Sequence, residues 1–391
     1  MLRPFALTAL VALADAQAWD ASLVLHSNAT RDLFGARCLD GTNGGFYFRP
    51  ASSPTAVTKW KIHFMGGGWC ASPAECYARS NSLLGSSSFW TPQLSKLWPS
   101  EFAGFYGLMG ANDTSVNPFG DWNFVWAAYC DGSSQMSNAD APVVVKGKTL
   151  YMRGRALLDA HLHELERLYH FTSTATEVIV SGTSAGGQSV YMHSSFIKSQ
   201  LRAPGARLVA LPDAGFWWST PSYDGKRHPF LDMVTEAMPM WNATLRGASG
   251  KCLGSPPFGN RNLCFLQPYN YAFQDVPFFV LQSLVDPANL GICYAMPCSV
   301  SGNTPGSCTP AEVEGILAFS HALKANITAA QAPFGTRDAH FFTSCAYHEE
   351  SCRYFDCEQR APTSLAPPAP ARTPLSPSLR IYCPPQGLTC A

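Results

Sequence analysis

Residues 178–189, VIVSGTSAGGQS, surround one serine with the residue types that a nucleophilic serine requires. A run of β-branched residues leads into Gly182-Thr183-Ser184-Ala185-Gly186, which fits the pattern G-x-S-x-G. In this motif the serine occupies a strained turn between a strand and a helix, and glycines remove side chains that would clash there. The pattern predicts Ser184 as a nucleophile, and a glycine turn with a solvent-facing serine is the alternative.

A serine that attacks a carbonyl group also needs backbone N–H groups to stabilise the oxyanion that forms. The N–H of Ala185, directly after the serine, is one such donor by construction. A second donor is expected in a glycine loop that follows an earlier strand. The segment KIHFMGGGWC, at 61–70, contains this loop, and we expect the N–H groups of Gly68 and Trp69 to complete the oxyanion hole.

The catalytic carboxylate and histidine are expected after the serine, in that order. Asp286 ends the apolar stretch PFFVLQSLVD, and Asp213, at the end of an earlier strand-like stretch, is the alternative. Among the late histidines, His321 lies inside a helical pattern, which indicates a structural role. His340 and His348 lie close together in the sequence, and their spacing does not separate them.

These residues must be positioned by a framework of strands and helices. Apolar stretches rich in β-branched and aromatic residues predict strands that are buried on both faces. They are residues 57–65, 123–129, 177–182, 206–213 and 277–286. Residues 154–170 and 311–325 have apolar positions at helical spacing. This alternation predicts an α/β fold with a mostly parallel sheet, helices on both faces, and cysteine-rich loops stapled by disulfides.

The composition bears on location and partners. Charged residues make up 14% of the 391 residues, acidic and basic groups are equal in number, and no block of one sign supports nucleic-acid binding. Residues 1–18 have the layout of a signal peptide, and no later run is long enough for a transmembrane segment. We expect a secreted protein with a domain at 19–360 and a proline-rich tail at 361–391.

The cysteines and asparagine sequons agree with secretion. The 14 cysteines are even in number and predict disulfides in an oxidising compartment. The Cys-x4-Cys spacings lack the paired tight spacing of zinc sites, so we expect no metal site. Chemistry at a nucleophilic serine needs no organic cofactor, so none is expected. N-glycosylation is predicted at the N-x-S/T sequons of Asn28, Asn112, Asn242 and Asn326.

Eight motifs in one order carry a family resemblance over about residues 35–355: HFMGGGWC, RSNSLLGSSSFW, YCDGSS, YMRGRALL, SGTSAGG, PDAGFWW, LQSLVD and SCAYH. In this order they resemble the pectin acetylesterase/Notum family of secreted serine carboxylesterases. The resemblance implies an α/β-hydrolase-like fold with a triad of Ser184, Asp286 and His348. It also implies Gly68, Trp69 and Ala185 as oxyanion donors.

The same resemblance implies hydrolysis of a carboxylic ester. YCDGSS and GGGWC are closer to the plant-type members, so we expect deacetylation of an O-acetylated cell-wall or extracellular polysaccharide such as pectin. Phe216, Trp217 and Trp218 are expected at the acyl pocket, and the protein is expected to be a monomer. The alternatives are a Notum-like esterase that removes a fatty acyl group from a secreted protein, and an inactive binding protein on the same fold.

Overall fold

The computed structural model describes residues 20–97, 117–300, 308–344 and 346–348. The strands in these ranges are β1 (Ser22–Leu25), β2 (Gly45–Arg49), β3 (Lys59–Phe64), β4 (Asn123–Ala127), β5 (Val143–Val145), β6 (Lys148–Leu150), β7 (Glu177–Thr183), β8 (Arg207–Asp213), β9 (Phe279–Ser283) and β10 (Ala339–Thr343). All but the β5–β6 hairpin join one sheet in the order β1-β2-β4-β3-β7-β8-β9-β10. The pairings from β4 to β10 are parallel, and β1 and β2 add two antiparallel pairings at one edge.

Helices and short helical turns connect the strands. The α-helices are α1 (Asn28–Phe34), α2 (Pro73–Arg79), α3 (Leu94–Leu97), α4 (Gly154–Tyr169), α5 (Phe171–Thr174), α6 (Ala185–Gln200), α7 (Pro229–Trp241), α8 (Gly247–Gly254), α9 (Gln267–Asn270), α10 (Pro287–Ile292) and α11 (Pro310–Gln331). Short 3₁₀ turns occur at Pro54–Ala56, Ser87–Phe89, Pro257–Gly259, Arg261–Phe265, Tyr271–Phe273 and Ala332–Arg337.

Strand β4 shows why the centre of the sheet is stable. Successive side chains of a strand point to opposite faces. Phe124 and Trp126 join one buried cluster, whereas Val125 and Ala127 join another, and each is at most 4% exposed. Strands with both faces covered are typical of parallel sheets. The predicted α/β fold with its mostly parallel sheet is therefore confirmed.

The predicted element boundaries differ from the structure by more than two residues at two places. The stretch 277–286 was expected to be one strand, but β9 ends at Ser283 and Asp286 is instead the N-cap of α10. The reason is Pro287, which favours the first position of a helix and cannot donate to a sheet. The helix expected at 311–325 continues to Gln331, because residues 326–331 contain no glycine or proline.

Disulfides close several loops, as the cysteine content predicts. The bonds among the described residues are Cys38–Cys130, Cys70–Cys76, Cys252–Cys264 and Cys298–Cys308. Cys293 is buried. The remaining cysteines, Cys345, Cys352, Cys357, Cys383 and Cys390, lie outside the described residues.

Several predictions fall outside the described part of the chain. They are the signal peptide at 1–18, the sequon at Asn112 and the tail at 361–391. The side chains of Asn28 and Asn242 are exposed, and that of Asn326 is half-buried on α11, where it donates to Ala322 O (2.8 Å). Within the ranges that the structure covers, no helix combines the length and the apolar character needed to cross a bilayer.

Candidate active site

The candidate catalytic residues gather where the parallel strands end. Ser184 directly follows β7, the glycine loop 66–68 follows β3, and Asp286 and His348 follow β9 and β10. Because β3, β7, β9 and β10 run in the same direction, their carboxyl ends lie along one edge of the sheet. This edge is where ligands bind in open α/β sheets.

The turn at Ser184 has the geometry that the motif predicts. Its backbone angles are φ 56° and ψ −121°, a strained conformation for a residue with a side chain. Close packing explains the neighbouring glycines, since a Cβ at Gly182 would lie 2.4 Å from Gly186 O, and one at Gly186 would lie 2.0 Å from Phe64 O. The serine N–H donates to Asp213 O (2.9 Å), which ties the turn to the end of β8.

His348 and Asp286 are in direct contact. His348 Nδ1 lies 3.0 Å from Asp286 Oδ1 and 2.9 Å from Oδ2. An ionised carboxylate only accepts hydrogen bonds, so Nδ1 carries the proton and Nε2 keeps its lone pair. The Asp286 side chain is fully buried, whereas that of His348 is 27% exposed. The pair can therefore present a basic nitrogen at the carboxyl ends of the parallel strands.

The start of α10 holds the Asp286 carboxylate in place. Oδ1 accepts from the backbone N–H groups of Ala288 (2.7 Å) and Asn289 (3.4 Å). On the other side, Gln282 Nε2 lies 3.4 Å from Oδ2 and donates to Asn289 Oδ1 (3.0 Å). These donors stabilise a buried negative charge beside the imidazole.

Trp217 contacts both the serine and the histidine segments. Its indole Nε1 donates to Ser184 O (3.2 Å), and its ring centroid lies 6.3 Å from that of His348. The same ring packs against Trp69 from the glycine loop at 4.9 Å. Trp217 therefore borders the serine turn, the segment of His348 and the glycine loop.

The structure also places the residues that the sequence left as alternatives. Asp213 is buried at the end of β8, and its backbone carbonyl accepts from Ser184 N. His340 lies in β10, and its Nδ1 contacts Gln331 Oε1 at 2.6 Å. His321 is exposed on α11. The carboxylate that contacts His348 is that of Asp286.

The three expected oxyanion donors face no acceptor among the described residues, as their N–H groups make no hydrogen bond there. Gly67 and Gly68 have φ angles of 126° and 66°, which L side chains rarely adopt. A Cβ at Gly68 would meet no atom within 4 Å, so the loop borders open space at this residue. The loop geometry therefore suits backbone donors that point toward a ligand.

The role of residues 131–137, which follow β4, was not predicted from the sequence. Ser134 Oγ accepts from Trp69 Nε1 (2.8 Å) and donates to Ala185 O (2.7 Å), so it joins the glycine loop to the serine turn. Ser134 and Gln135 have φ angles of 51° and 54°. Asp131 holds this turn by accepting from Gln135 N (3.1 Å), and burial raises its pKa. β4 is parallel to β3, and the polar run DGSS begins four positions after the end of β4. This placement was a usable sequence signal that the run lies at the same end of the sheet as the glycine loop.

The expected pocket aromatics lie beneath the surface of the site. Phe216 and Trp217 are fully buried and Trp218 is 7% exposed. Phe216 packs against Tyr191, and Trp218 packs against Phe319 of α11. Their role at an acyl pocket stays a prediction. Within the described residues, no group of three His, Cys, Asp or Glu side chains is placed to hold a metal ion.

Comparison with solved structures identifies the class of fold. The Wnt deacylase Notum from Drosophila superposes with a TM-score of 0.66 at 21% identity, over 84% of this chain and 85% of that chain. Together with the parallel sheet and the serine turn, this places the chain among the α/β-hydrolase-like proteins. The sequence profile of the pectinacetylesterase family matches residues 14–364. The chain therefore belongs to the pectinacetylesterase family.

Individual relatives agree with this assignment. Pectin acetylesterase 11 of Arabidopsis thaliana is 27% identical over 80% of this chain and 76% of its own length. Pectin acetylesterase 5 of the same plant is 33% identical over 49% of this chain and 42% of its own length. Palmitoleoyl-protein carboxylesterase Notum of Schmidtea mediterranea is 29% identical over 65% of this chain and 47% of its own length. All three names denote carboxylic ester hydrolases, and this predicted enzyme class is confirmed.

Proposed function

We propose that this chain is a secreted serine carboxylesterase that removes acetyl groups from an O-acetylated polysaccharide such as pectin. The observation that carries the proposal is the contact of His348 Nδ1 with the buried carboxylate of Asp286, at the edge where Ser184 sits on its strained turn. Two relatives named as pectin acetylesterases support the choice of substrate.

The first half of the proposed reaction forms an acyl-enzyme. Ser184 Oγ attacks the acetyl carbonyl carbon while His348 Nε2 takes the hydroxyl proton. The carbonyl oxygen becomes an oxyanion that accepts from the N–H groups of Gly68, Trp69 and Ala185. The C–O bond to the sugar then breaks, and His348 returns its proton to the departing sugar oxygen.

The second half releases acetate. Water attacks the acetyl group on Ser184 while His348 Nε2 accepts one of its protons, and that proton returns to Ser184 Oγ as the C–O bond to the serine breaks. Acetic acid leaves and loses its remaining proton to water, which gives acetate. Asp286 stays ionised throughout, orients the imidazole ring and stabilises its charged form. Each proposed step uses only this chain and water, so the proposed chemistry requires no metal or organic cofactor.

Secretion is proposed from several independent features. The signal-peptide layout of residues 1–18, the sequons and the cysteine content are all typical of exported proteins. Disulfides Cys38–Cys130 and Cys252–Cys264 agree with an oxidising compartment. We further propose that the protein acts as a monomer and that its partner is the acylated polysaccharide rather than a nucleic acid.

The experiment that tests the substrate measures which acid is released. Purified protein is incubated with acetylated pectin, acetylated xylan and a palmitoleoylated peptide, with Ser184→Ala as the inactive control. We expect acetate from a polysaccharide and no palmitoleate. Palmitoleate release would replace the proposal with the Notum-like function. Absence of turnover on every activated ester would favour an inactive binding protein.

A nitrophenyl ester series tests the acyl preference separately. A deep apolar pocket would gain about 0.8 kcal/mol per buried methylene, roughly fourfold in kcat/KM for each carbon. A shallow pocket backed by buried aromatics gives no such gain and excludes long chains. We therefore expect kcat/KM to peak at acetyl or propionyl and to fall by octanoyl. A steady rise through octanoyl would contradict acetyl specificity.

A further inference from the structure

The orientation of the oxyanion donors has an identifiable cause in the structure. In a trans peptide group, the C=O of one residue and the N–H of the next point in opposite directions. A side chain that holds the carbonyl of a residue therefore also aims the N–H of the residue that follows. The relevant carbonyls are those of Gly67 and Gly68, which share peptide groups with the N–H of Gly68 and of Trp69.

Both of these carbonyls are held by side chains. Arg79 Nη1 donates to Gly67 O (2.8 Å), and Tyr129 Oη donates to Gly68 O (2.8 Å). The third peptide group follows the same arrangement, because Trp217 Nε1 donates to Ser184 O and that carbonyl lies opposite the N–H of Ala185. Each expected oxyanion N–H is thus paired with an anchored carbonyl on the opposite side of its own peptide group.

We propose that Arg79 and Tyr129 are positioning residues that aim the oxyanion-hole N–H groups of Gly68 and Trp69. The proposal rests on the esterase function proposed above. It assigns a role to two motifs: Arg79 is the first residue of RSNSLLGSSSFW, and Tyr129 is the first residue of YCDGSS. Neither side chain needs to touch the substrate.

A glycine loop needs such anchors more than other backbone does. Glycine has the largest conformational freedom of any residue, so an unrestrained run of three would point its N–H groups in many directions. The φ angles of Gly67 and Gly68 lie outside the region that other residues prefer, and no side chain of their own restrains them. Hydrogen bonds from outside the loop must therefore select the conformation that suits an oxyanion.

The tyrosine is itself fixed as a donor. Tyr129 is fully buried, and its Oη accepts from Ser134 N (3.0 Å), which leaves its single proton for Gly68 O. Burial raises the pKa of Tyr129, so the hydroxyl keeps that proton at physiological pH. The Tyr129 hydroxyl is therefore held as a hydrogen-bond donor to Gly68 O.

The arginine is held from two sides. Its Nε donates to Leu84 O (3.0 Å), and its guanidinium carbon lies 4.8 Å from the Tyr129 ring centroid. An ionised donor on the Gly67 carbonyl makes a stronger hydrogen bond than a neutral one, and it polarises the peptide group that carries the Gly68 N–H. The positive charge thus acts on the oxyanion through the peptide group between them.

Tyr129→Phe tests the proposal against a matched control. Tyr47 is also fully buried and also donates from Oη to a backbone carbonyl, Thr91 O, at 2.8 Å. Both changes to phenylalanine delete one hydroxyl and one hydrogen bond, so a merely structural role would affect the two variants alike. We expect Tyr129→Phe to lower kcat by about 10- to 100-fold with KM nearly unchanged, and Tyr47→Phe to stay within about twofold.

A second readout isolates the oxyanion. A trifluoromethyl ketone forms a tetrahedral adduct with a serine nucleophile, and its affinity should fall in Tyr129→Phe by the same factor as kcat/KM. If that variant fails to fold, Arg79→Lys is compared with Arg153→Lys, because Arg153 also donates to backbone carbonyls, those of Gly35 and Phe34. We expect only the Arg79 variant to lose ketone affinity and kcat together.

The possible failures are distinguishable. If the wild type is active through Ser184 but Tyr129→Phe and Tyr47→Phe behave alike, the positioning role is overturned and the proposed function stands. Equal behaviour of the two arginine variants overturns it in the same way. If the wild type hydrolyses no ester and binds no ketone, the proposed function fails and the positioning role fails with it.

Discussion

The nucleophile side and the acid–base side of the site are built differently. On the nucleophile side, Ser134 Oγ bridges Trp69 Nε1 and Ala185 O, and the serine turn is buried against β3 and β8. On the acid–base side, His348 lies beyond the end of β10, and its side chain is 27% exposed and held at Nδ1 by Asp286. On the first side, distant side chains hold backbone carbonyls of the glycine loop and the serine turn. On the second side, the working groups are themselves a pair of side chains in contact, His348 and Asp286.

This difference suits the two tasks that we propose. Groups that stabilise a developing charge act best when they are preorganised and do not move during the reaction. A base that takes a proton from one oxygen and returns it to another needs an accessible nitrogen and a defined tautomer. The contrast predicts that changes on the acid–base side alter activity more than stability, while changes near the glycine loop alter both.

The largest effect is expected for His348. His348→Ala should lower kcat by about 10⁴-fold, because the proton transfer and the charged imidazole are both lost. His340→Ala removes a neighbouring histidine that contacts Gln331, and it should leave kcat within about tenfold. Steady-state kinetics on a nitrophenyl ester and thermal melting of both variants provide the measurement. An inactive His340 variant beside an active His348 variant would reverse the assignment of the base.

The sequence was sufficient for the strands at the centre of the sheet. β3, β4, β7 and β8 lie within two residues of their predicted limits. β4 and β7 are buried on both faces and contain apolar runs, whereas β8 alternates buried and exposed residues but still contains the apolar run at 208–211. The strands β1, β2 and β10 were missed, because they have only four or five residues each and no residue of β1 is buried. α7 was missed because Pro239 interrupts its helical pattern.

In the candidate site too, some residues could be predicted from the sequence and others could not. The serine motif and the glycine loop are local patterns, so sequence alone indicated Ser184, Gly68 and Ala185. The choice of Asp286 and His348 depended on a resemblance, because their contact joins residues 62 positions apart. The anchors Arg79 and Tyr129 were not found, since no local pattern states which carbonyl a distant side chain will hold.

Two disulfides, one with a cysteine beyond the end of β4 and one beyond the end of β3, provide the next comparison. Cys38–Cys130 closes a loop of 92 positions and Cys70–Cys76 one of 6 positions directly after the glycine loop. Chain-entropy arguments give about 4.6 kcal/mol for the long loop and about 2.2 kcal/mol for the short one. We expect the double serine variant of the long bond to lose more unfolding free energy, and that of the short bond to lose more kcat. Urea unfolding and kinetics on both variants check this crossed result, and a uniform ranking in both assays would contradict it.

The last stability prediction concerns acid pH and the buried histidines of the described fold. Burial lowers the pKa of His26 and His63 to about 3 and that of His193 to about 4, so these side chains stay neutral in the folded state. In the unfolded chain a histidine titrates near about 6.5. The contribution of these neutral histidines to the free energy of unfolding is therefore fully present above that pH. It is lost as the pH falls toward 4, because the unfolded chain takes up protons that the folded chain does not.

The expected loss is up to about 1.4 kcal/mol per pH unit for each such histidine. Asp159 opposes this trend, because burial raises its pKa to about 6 and the folded state then binds its proton first. Unfolding free energies from urea titrations at about pH 7.5, 6 and 5 should decrease in that order. Equal or greater stability at the lowest pH would contradict this prediction.

The central claim is that Ser184 is the nucleophile activated by His348. A fluorophosphonate probe reacts covalently with an activated serine, and digestion with mass spectrometry then locates the adduct. We expect a single adduct on the peptide that contains Ser184, its loss in Ser184→Ala, and much slower labelling in His348→Ala. Ser194→Ala serves as the control, because that buried hydroxyl donates only within α6, to Val190 O, among the described residues. An adduct on another residue, or equal labelling of Ser184→Ala and wild type, would contradict the account.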